Sequence, residues 1–277
     1  MHVPRNYILI NGVPGDQVSV HDRGLLYGDG VFRTLRVLGG CMQSWPRHYR
    51  KLQQDCSALR ITCPEAALLF EELRRLIEQR PDGVAKIIIT RGEQTARGYA
   101  SAGNMIPTRI LSLTPPLDYP DRNYSYGVSL RLCDLRLAHQ PKLAGIKHLN
   151  RLENVLAAAE QSAPDIAEGL LLDMFGNVIE GIRSNLFMVR NGELFTPNLS
   201  SCGVAGIQRE RVIEWADEYG VPCWVRQFGL AELLGADEIF LVNSVIGLWP
   251  VRELSGSEWS HHPISMQVQE WLSHAYD

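Results

Sequence analysis

The sequence predicts an α/β protein with two α+β subdomains. Three observations carry that prediction. Short apolar runs rich in β-branched residues alternate with segments of helical periodicity over most of the 277 residues. This interleaving occurs in both halves of the chain, and no segment repeats. A proline-bearing stretch, "TPPLDYPDRN", interrupts it near the middle and reads as a linker. We place the boundary within 115–122, dividing the chain into residues 1–117 and 118–277, each long enough for its own core.

The elements follow in order. "YILINGV" reads as a strand closing on an Asn-Gly turn. "VFRTLRVLGG" is a second strand, ending in a turn at Gly39–Gly40. "HYRKLQQDCSALR" and "PEAALLFEELRRLIEQR" are helical, the latter with Pro64 near its start. "VAKIIITRG" and "TRILSLTPP" are strands. Beyond the linker, "YGVSLRLCDLRL" is a strand. In "LAGIKHLNRLENVLAAAE" the apolar residues Leu149, Leu152, Val155, Leu156 and Ala159 recur at helical spacing, which places Lys147 where a loop becomes a helix. "EGLLLDMFGNVIEG" and "SNLFMVRNGELFTP" read as hairpins with turns at Gly176–Asn177 and Asn191–Gly192. "GVAGIQRERVIEWADEYG" is a glycine-containing loop opening a helix. "EIFLVNSVIGLWPV" is a strand that breaks at Asn243–Ser244, and "ISMQVQEWLSHAY" is a final helix.

Composition narrows the function. With 45% hydrophobic and 21% charged residues the chain is of ordinary globular type. A net charge of −4 gives no electrostatic case for nucleic acid or an anionic membrane as partner. No apolar run approaches the roughly 18 residues of a membrane span. The N-terminal segment shows no basic region followed by a long apolar one, so no signal peptide is expected. The six cysteines contain no C-x-x-C pair and read as reduced, mostly buried thiols of a cytoplasmic protein. The eight histidines lack ligand spacing, no metal site is expected, and the His261–His262 pair reads as surface.

Four features of the second half fit one small ligand. Lys147 offers an amine that could form a Schiff base with an aldehyde. Glu180, at the end of "NVIEG", could pair with a protonated ring nitrogen. The backbone N–H groups of Gly206, Ile207 and Gln208 at a helix start suit a phosphate. Asn243 and Ser244, at a strand end, could add donors. An aldehyde, a basic ring nitrogen and a phosphate together describe pyridoxal 5′-phosphate (PLP). Taken singly, each residue also fits a surface or purely structural role. Any site is expected in the cleft between the two subdomains.

The segments "SVHDRGLLYGDGVFRTLRV", "RGEQTARGYA", "LAGIKHLNRLENVL", "VIEGIRSNLFMV" and "CGVAGIQRERV" resemble the class IV, fold-type IV PLP enzymes. The resemblance runs from about Leu9 to Val251. It implies the fold-type IV architecture, with two subdomains and the cofactor in the cleft between them, and a homodimer. It assigns Lys147 to the Schiff-base lysine and Glu180 to the partner of the pyridine nitrogen. Gly206 and Ile207 match the phosphate-loop amides, with Gln208 following them. Ser184 and Asn185, in the polar loop after Glu180, are carried over as cofactor contacts. Asn243 and Ser244 match positions near phosphate and substrate.

Within the family, "LAGIKHLNRLE" and "ARGYA" are most similar to the lyase branch, which converts 4-amino-4-deoxychorismate to 4-aminobenzoate and pyruvate in folate synthesis. That resemblance gives Thr34 a role in proton handling. It places Arg97 and Tyr99 where relatives bind a substrate carboxylate, a task suited to the planar fork of arginine. There is one departure. Where the family has His-x-x-Arg-Leu, this chain reads "HYRKL", so Lys51 stands in for the phosphate-binding arginine without its bidentate geometry. A class IV aminotransferase and a non-catalytic PLP-binding protein remain the alternative readings.

Overall fold

The chain divides after Asp118 into two units, and one short segment, Ile146–Asn150, belongs with the first. The structure is a computed structural model describing residues 7–101, 103, 105–160 and 163–274. The N-terminal segment before Tyr7 and the last two residues of the expected final helix, Ala275 and Tyr276, lie outside the described residues.

The first unit contains β1 (Ile8–Ile10), β2 (Val13–Pro14), α1 (Arg23–Tyr27), β3 (Gly30–Leu38), β4 (Cys41–Met42), α2 (Trp45–Ala58), α3 (Ala66–Ile77), β5 (Gly83–Thr90) and β6 (Arg109–Thr114). Its six strands form one antiparallel sheet in the order β2-β1-β6-β5-β3-β4. The β1–β2 hairpin turns on Asn11 and Gly12, with φ of 52° and 83°. Asn and Gly tolerate these left-handed values, and the resulting twist matches that of the strands. Along β3 the side chains alternate faces, so Val31, Arg33, Leu35 and Val37 are buried while Phe32, Thr34 and Arg36 share the other face. The buried face packs against α2 and α3. The α2 stripe, His48, Leu52, Asp55 and Cys56, has the spacing of one helical face.

The second unit contains α4 (Arg122–Ser125), β7 (Val128–Leu137), α5 (Leu152–Ala159), β8 (Ile166–Asp173), β9 (Val178–Gly181), β10 (Asn185–Arg190), β11 (Glu193–Pro197), α6 (Ile207–Glu218), β12 (Cys223–Arg226), α7 (Leu230–Leu234), β13 (Glu238–Asn243), β14 (Gly247–Leu254), β15 (Ser257–Glu258) and α8 (Pro263–His274). Nine strands make a mixed sheet in the order β12-β11-β10-β13-β14-β7-β8-β9, with β15 paired to β14. Both faces of its middle are buried. Phe187 and Phe240 stack 5.1 Å apart beneath α6 and α8, while Leu186, Met188, Ile239 and Leu241 fill the opposite core. This explains why β10 and β13 read as continuous apolar runs. Strand β9 ends the sheet, yet it joins β10 through a tight turn closed by the Gly181 N–H on the Ser184 carbonyl at 2.8 Å. The sheet therefore curls back on itself, and the turn brings Glu180 beside Asn185.

Three expectations change. Helix α5 begins at Leu152, not directly after Lys147; the segment before it is extended, with His148 bridging Val31. Leu152, Val155 and Leu156 are 75%, 57% and 59% exposed, so the periodic apolar face of α5 does not enter the core of this chain. The β8–β9 turn centres on Met174–Gly176, because the Asp173 carboxylate accepts the N–H groups of Phe175 and Asn177. His262 is buried rather than a surface residue. All six cysteines are free, with Cys56, Cys133 and Cys202 buried and Cys41 exposed. Among the described residues no helix is long and apolar enough to cross a membrane.

Candidate active site

In the first unit the elements converge on Lys147. Its carbonyl accepts the Phe32 N–H at 2.9 Å, and the Leu149 N–H donates to the Gly30 carbonyl at 2.9 Å. The segment is thus laid along β3 by strand-type bonds, with no helical dipole at Lys147. The Lys147 N–H donates to Asp55 Oδ2 at 3.1 Å. Its ammonium lies 4.4 Å from the centre of the Phe32 ring, a cation–π distance. Thr34 is two residues along the same face of β3, about 7 Å by the rise of a strand. Lys86, the cross-strand partner of Thr34 on β5, sits 5.2 Å from that ring on its own account.

Asp55 is the anchor of this corner. It pairs with Arg33, and both are almost fully buried. Burial pushes its carboxyl up, opposed by Arg33, the Lys147 N–H and the charge of Lys51. Lys51 therefore lies near enough to be felt electrostatically, and its carbonyl accepts a bond from Arg33 at 3.1 Å. His48, also on α2, is held near a pKa of about 3 by burial and by the charges of Arg33 and Lys147. It stays neutral at any physiological pH.

In the second unit the elements converge on Glu180, which is buried. Its Oε2 accepts the Val204 N–H at 2.8 Å and a long bond of 3.5 Å from Asn185 Nδ2. Asn185 also donates to the Val204 carbonyl at 2.7 Å and accepts the Gly206 N–H at 3.0 Å. That last bond occupies the Gly206 amide, so it is Ile207 and Gln208 that open α6 with uncapped N–H groups; Gly206 as N-cap has no side chain to satisfy them. Asn243 is similarly engaged. Its Oδ1 accepts the N–H groups of Val245 and Ile246 at 2.8 and 2.9 Å, and its Nδ2 bonds the Arg183 carbonyl at 3.2 Å. Ser244 follows in the turn. Ser184 bonds the buried Glu168 at 3.4 Å.

Gly145 donates to the Gly203 carbonyl at 2.9 Å and accepts the Ala205 N–H at 3.0 Å, so it flanks the Val204 N–H that holds Glu180. Arg97 and Tyr99 also belong to the first unit, and Tyr99 is held on α1. The Tyr99 carbonyl accepts Arg23 Nη2 at 2.7 Å, and its ring meets Tyr27 edge-on at 5.5 Å.

Sequence reasoning missed Asp55, His48, Lys86 and Arg23. One signal was available: Arg33 falls on the buried face of an alternating strand, and a buried arginine demands a buried acid. The others depend on pairing across the sheet and on loop contacts.

The donor set fits PLP. It offers a primary amine, a buried carboxylate already oriented by a backbone N–H, and two uncapped amides for a phosphate. Glycine at 203 keeps the loop close, since a Cβ there would come within 2.8 Å of Ile179.

The fold is that of the fold-type IV enzymes, and the chain belongs to the amino-transferase class IV family, whose pattern matches residues 30–254. The family is PLP-dependent. Among its relatives, an aminodeoxychorismate lyase of Vibrio harveyi is 35% identical over 253 residues, covering 90% of this chain and 92% of that protein. The crystal structure of the 4-amino-4-deoxychorismate lyase from Pseudomonas aeruginosa matches with a TM-score of 0.92 at 46% identity, covering 97% of this chain and 98% of that one. The branched-chain amino acid aminotransferase from Escherichia coli shares the fold with a TM-score of 0.85 at 23% identity, over 99% and 95% of the two chains.

Proposed function

We propose that this chain is a PLP-dependent aminodeoxychorismate lyase, which converts 4-amino-4-deoxychorismate to 4-aminobenzoate and pyruvate for folate synthesis. The observation that carries the reading is local. The amine of Lys147 rests on the Phe32 ring, and the hydroxyl-bearing Thr34 follows on the same strand face. An amine and a hydroxyl so placed suit a reaction that takes a proton from one carbon and gives one to another. The similarity to two proteins named for this lyase supports the same choice over an aminotransferase.

Lys147 is the residue that would hold the cofactor's aldehyde carbon, Glu180 its ring nitrogen, and the Ile207 and Gln208 amides its phosphate, with Lys51 supplying positive charge. Ser184 and Asn185 support Glu180 and its loop, and Asn243 with Ser244 shapes the neighbouring strand end. PLP, when bound, supplies a sink for the electrons left when a proton departs from the carbon bearing the substrate's amine. Lys147 removes that proton. Glu180 holds a proton at the pyridine nitrogen. The carbon–oxygen bond to the enolpyruvyl group breaks as the ring becomes aromatic, which makes the step strongly downhill. Lys147 or Thr34 delivers a proton to the methylene carbon of the departing fragment, which leaves as pyruvate. Arg97, with Tyr99, grips a substrate carboxylate.

The enzyme acts as a cytoplasmic homodimer. Its exposed α5 stripe, Leu152, Val155 and Leu156, is suited to cover by a second copy, and its free thiols suit a reducing compartment. Pyruvate release from 4-amino-4-deoxychorismate by the purified protein tests the activity. Amino exchange with keto acids and no pyruvate would replace the lyase with an aminotransferase. A cofactor-loaded protein with neither activity would leave a binding protein.

A further inference from the structure

Arg23 is a buried arginine outside the cofactor machinery, and its two terminal nitrogens are spent on a single loop. Nε bonds Asp29 Oδ2 at 2.8 Å. Nη1 bonds Gln94 Oε1 at 3.2 Å and the Gly98 carbonyl at 3.4 Å, and Nη2 bonds the Tyr99 carbonyl at 2.7 Å. Gln94 completes the clamp. Its Nε2 donates to the Ala96 carbonyl at 3.1 Å and to the Ala100 carbonyl at 3.0 Å, bracketing both stems of the loop. Arg97 stands between the stems with its side chain exposed, followed by Gly98 at a φ of +108°. The start of α1 is itself fixed, because Asp22 caps the Gly24 N–H at 2.7 Å and accepts Thr90 Oγ1 at 2.9 Å.

The arrangement fixes the backbone under Arg97 on both sides while leaving its guanidinium open to solvent. A loop that needed only to be stable would have no use for two side chains aimed at the carbonyls around one exposed arginine. We infer that Gln94, anchored by Arg23, is a positioning residue for substrate binding: it holds the Arg97 loop where the guanidinium meets a carboxylate of the substrate. This rests on the reading of Arg97 as that grip. Gln94 touches no substrate; it acts through Arg97.

The test is a double-mutant cycle in the PLP-loaded full chain with Gln94→Ala, Arg97→Ala and the pair. Pyruvate release from 4-amino-4-deoxychorismate gives kcat and KM, and calorimetry gives the affinity for 4-aminobenzoate, whose ring carboxylate is the same. Gln94→Ala should raise KM about tenfold with kcat within about threefold, and weaken 4-aminobenzoate in proportion. The pair should be no worse than Arg97→Ala alone within about twofold, because the clamp has nothing left to position. Arg23→Lys, which keeps the charge on Asp29 but not the fork, should repeat the rise in KM. Partial misfolding would instead lower kcat at unchanged KM. Multiplying effects in the pair, a loss in kcat alone, or a parent-like Gln94→Ala beside an impaired Arg97→Ala would overturn the inference and leave the Arg97 reading standing. A parent-like Arg97→Ala would overturn both.

Discussion

Asp55 Oδ2 accepts the backbone N–H of Lys147 at 3.1 Å across 92 residues of sequence. The same carboxylate pairs with Arg33, so one buried acid fixes both the strand under the site and the segment bearing the amine. Asp55→Asn keeps the shape but leaves Arg33 buried without a counter-charge. It should destabilise the fold by about 3 kcal/mol, on the scale of breaking a buried pair. Urea unfolding of parent and variant measures this. A midpoint equal to the parent's would show that the pair contributes nothing.

Glu180→Gln should lower kcat by about 10²- to 10³-fold while cofactor content, read from absorbance of the denatured protein, falls far less. The amide keeps an acceptor for the Val204 N–H, which Glu180 binds at 2.8 Å, so the loop stays in place. It cannot hold the pyridine nitrogen protonated. Activity within a factor of two of the parent would remove Glu180 from the chemistry.

Thr34→Ala should lower turnover more than it raises KM, since the hydroxyl would act mainly in the transition state. Cofactor binding should be unchanged. Steady-state pyruvate release decides this, and a parent-like variant would remove the main residue-level argument for a lyase over an aminotransferase.

His48 gives a pH prediction. Its pKa is lowered to about 3 in the fold by burial and nearby Arg33 and Lys147, from 6.5 in the unfolded chain. The unfolded state therefore binds the extra proton between those values. The stability is fully present above 6.5 and is lost as pH falls toward 3. His48→Leu should flatten the dependence of unfolding free energy on pH by up to about 1.4 kcal/mol per pH unit in that window. Chemical unfolding at pH 4, 5, 6 and 7 measures both slopes, and equal slopes would contradict the shift.

Local chemistry was legible in the sequence, and non-local pairing was not. The Asn11–Gly12 and Asn191–Gly192 turns were readable because their residues accept positive φ. The alternation of β3 and the glycine loop before α6 were readable for similar reasons. Lys147 was misread as a helix start because Leu149 shares the periodicity of α5. Its actual conformation comes from bonds to Gly30 and Phe32, more than a hundred residues away in sequence, and tertiary pairing overrides propensity. The approach of Asn185 to Glu180 comes from the tight turn closed by Gly181 on the Ser184 carbonyl. The engagement of Gly206 with Asn185 follows from that approach, and no motif announces it. Periodicity marked the apolar face of α5 correctly but carries no information on what covers it.

The central claim is that Lys147 carries the cofactor, and borohydride reduction of the PLP-loaded protein followed by peptide mapping tests it most directly. Purified protein should be yellow, and reduction should bleach it and fix one cofactor per chain. The account predicts that the single modified peptide contains Lys147 and that Lys147→Ala yields none. A modified peptide bearing Lys86, Lys51 or any other lysine in place of Lys147 would contradict it.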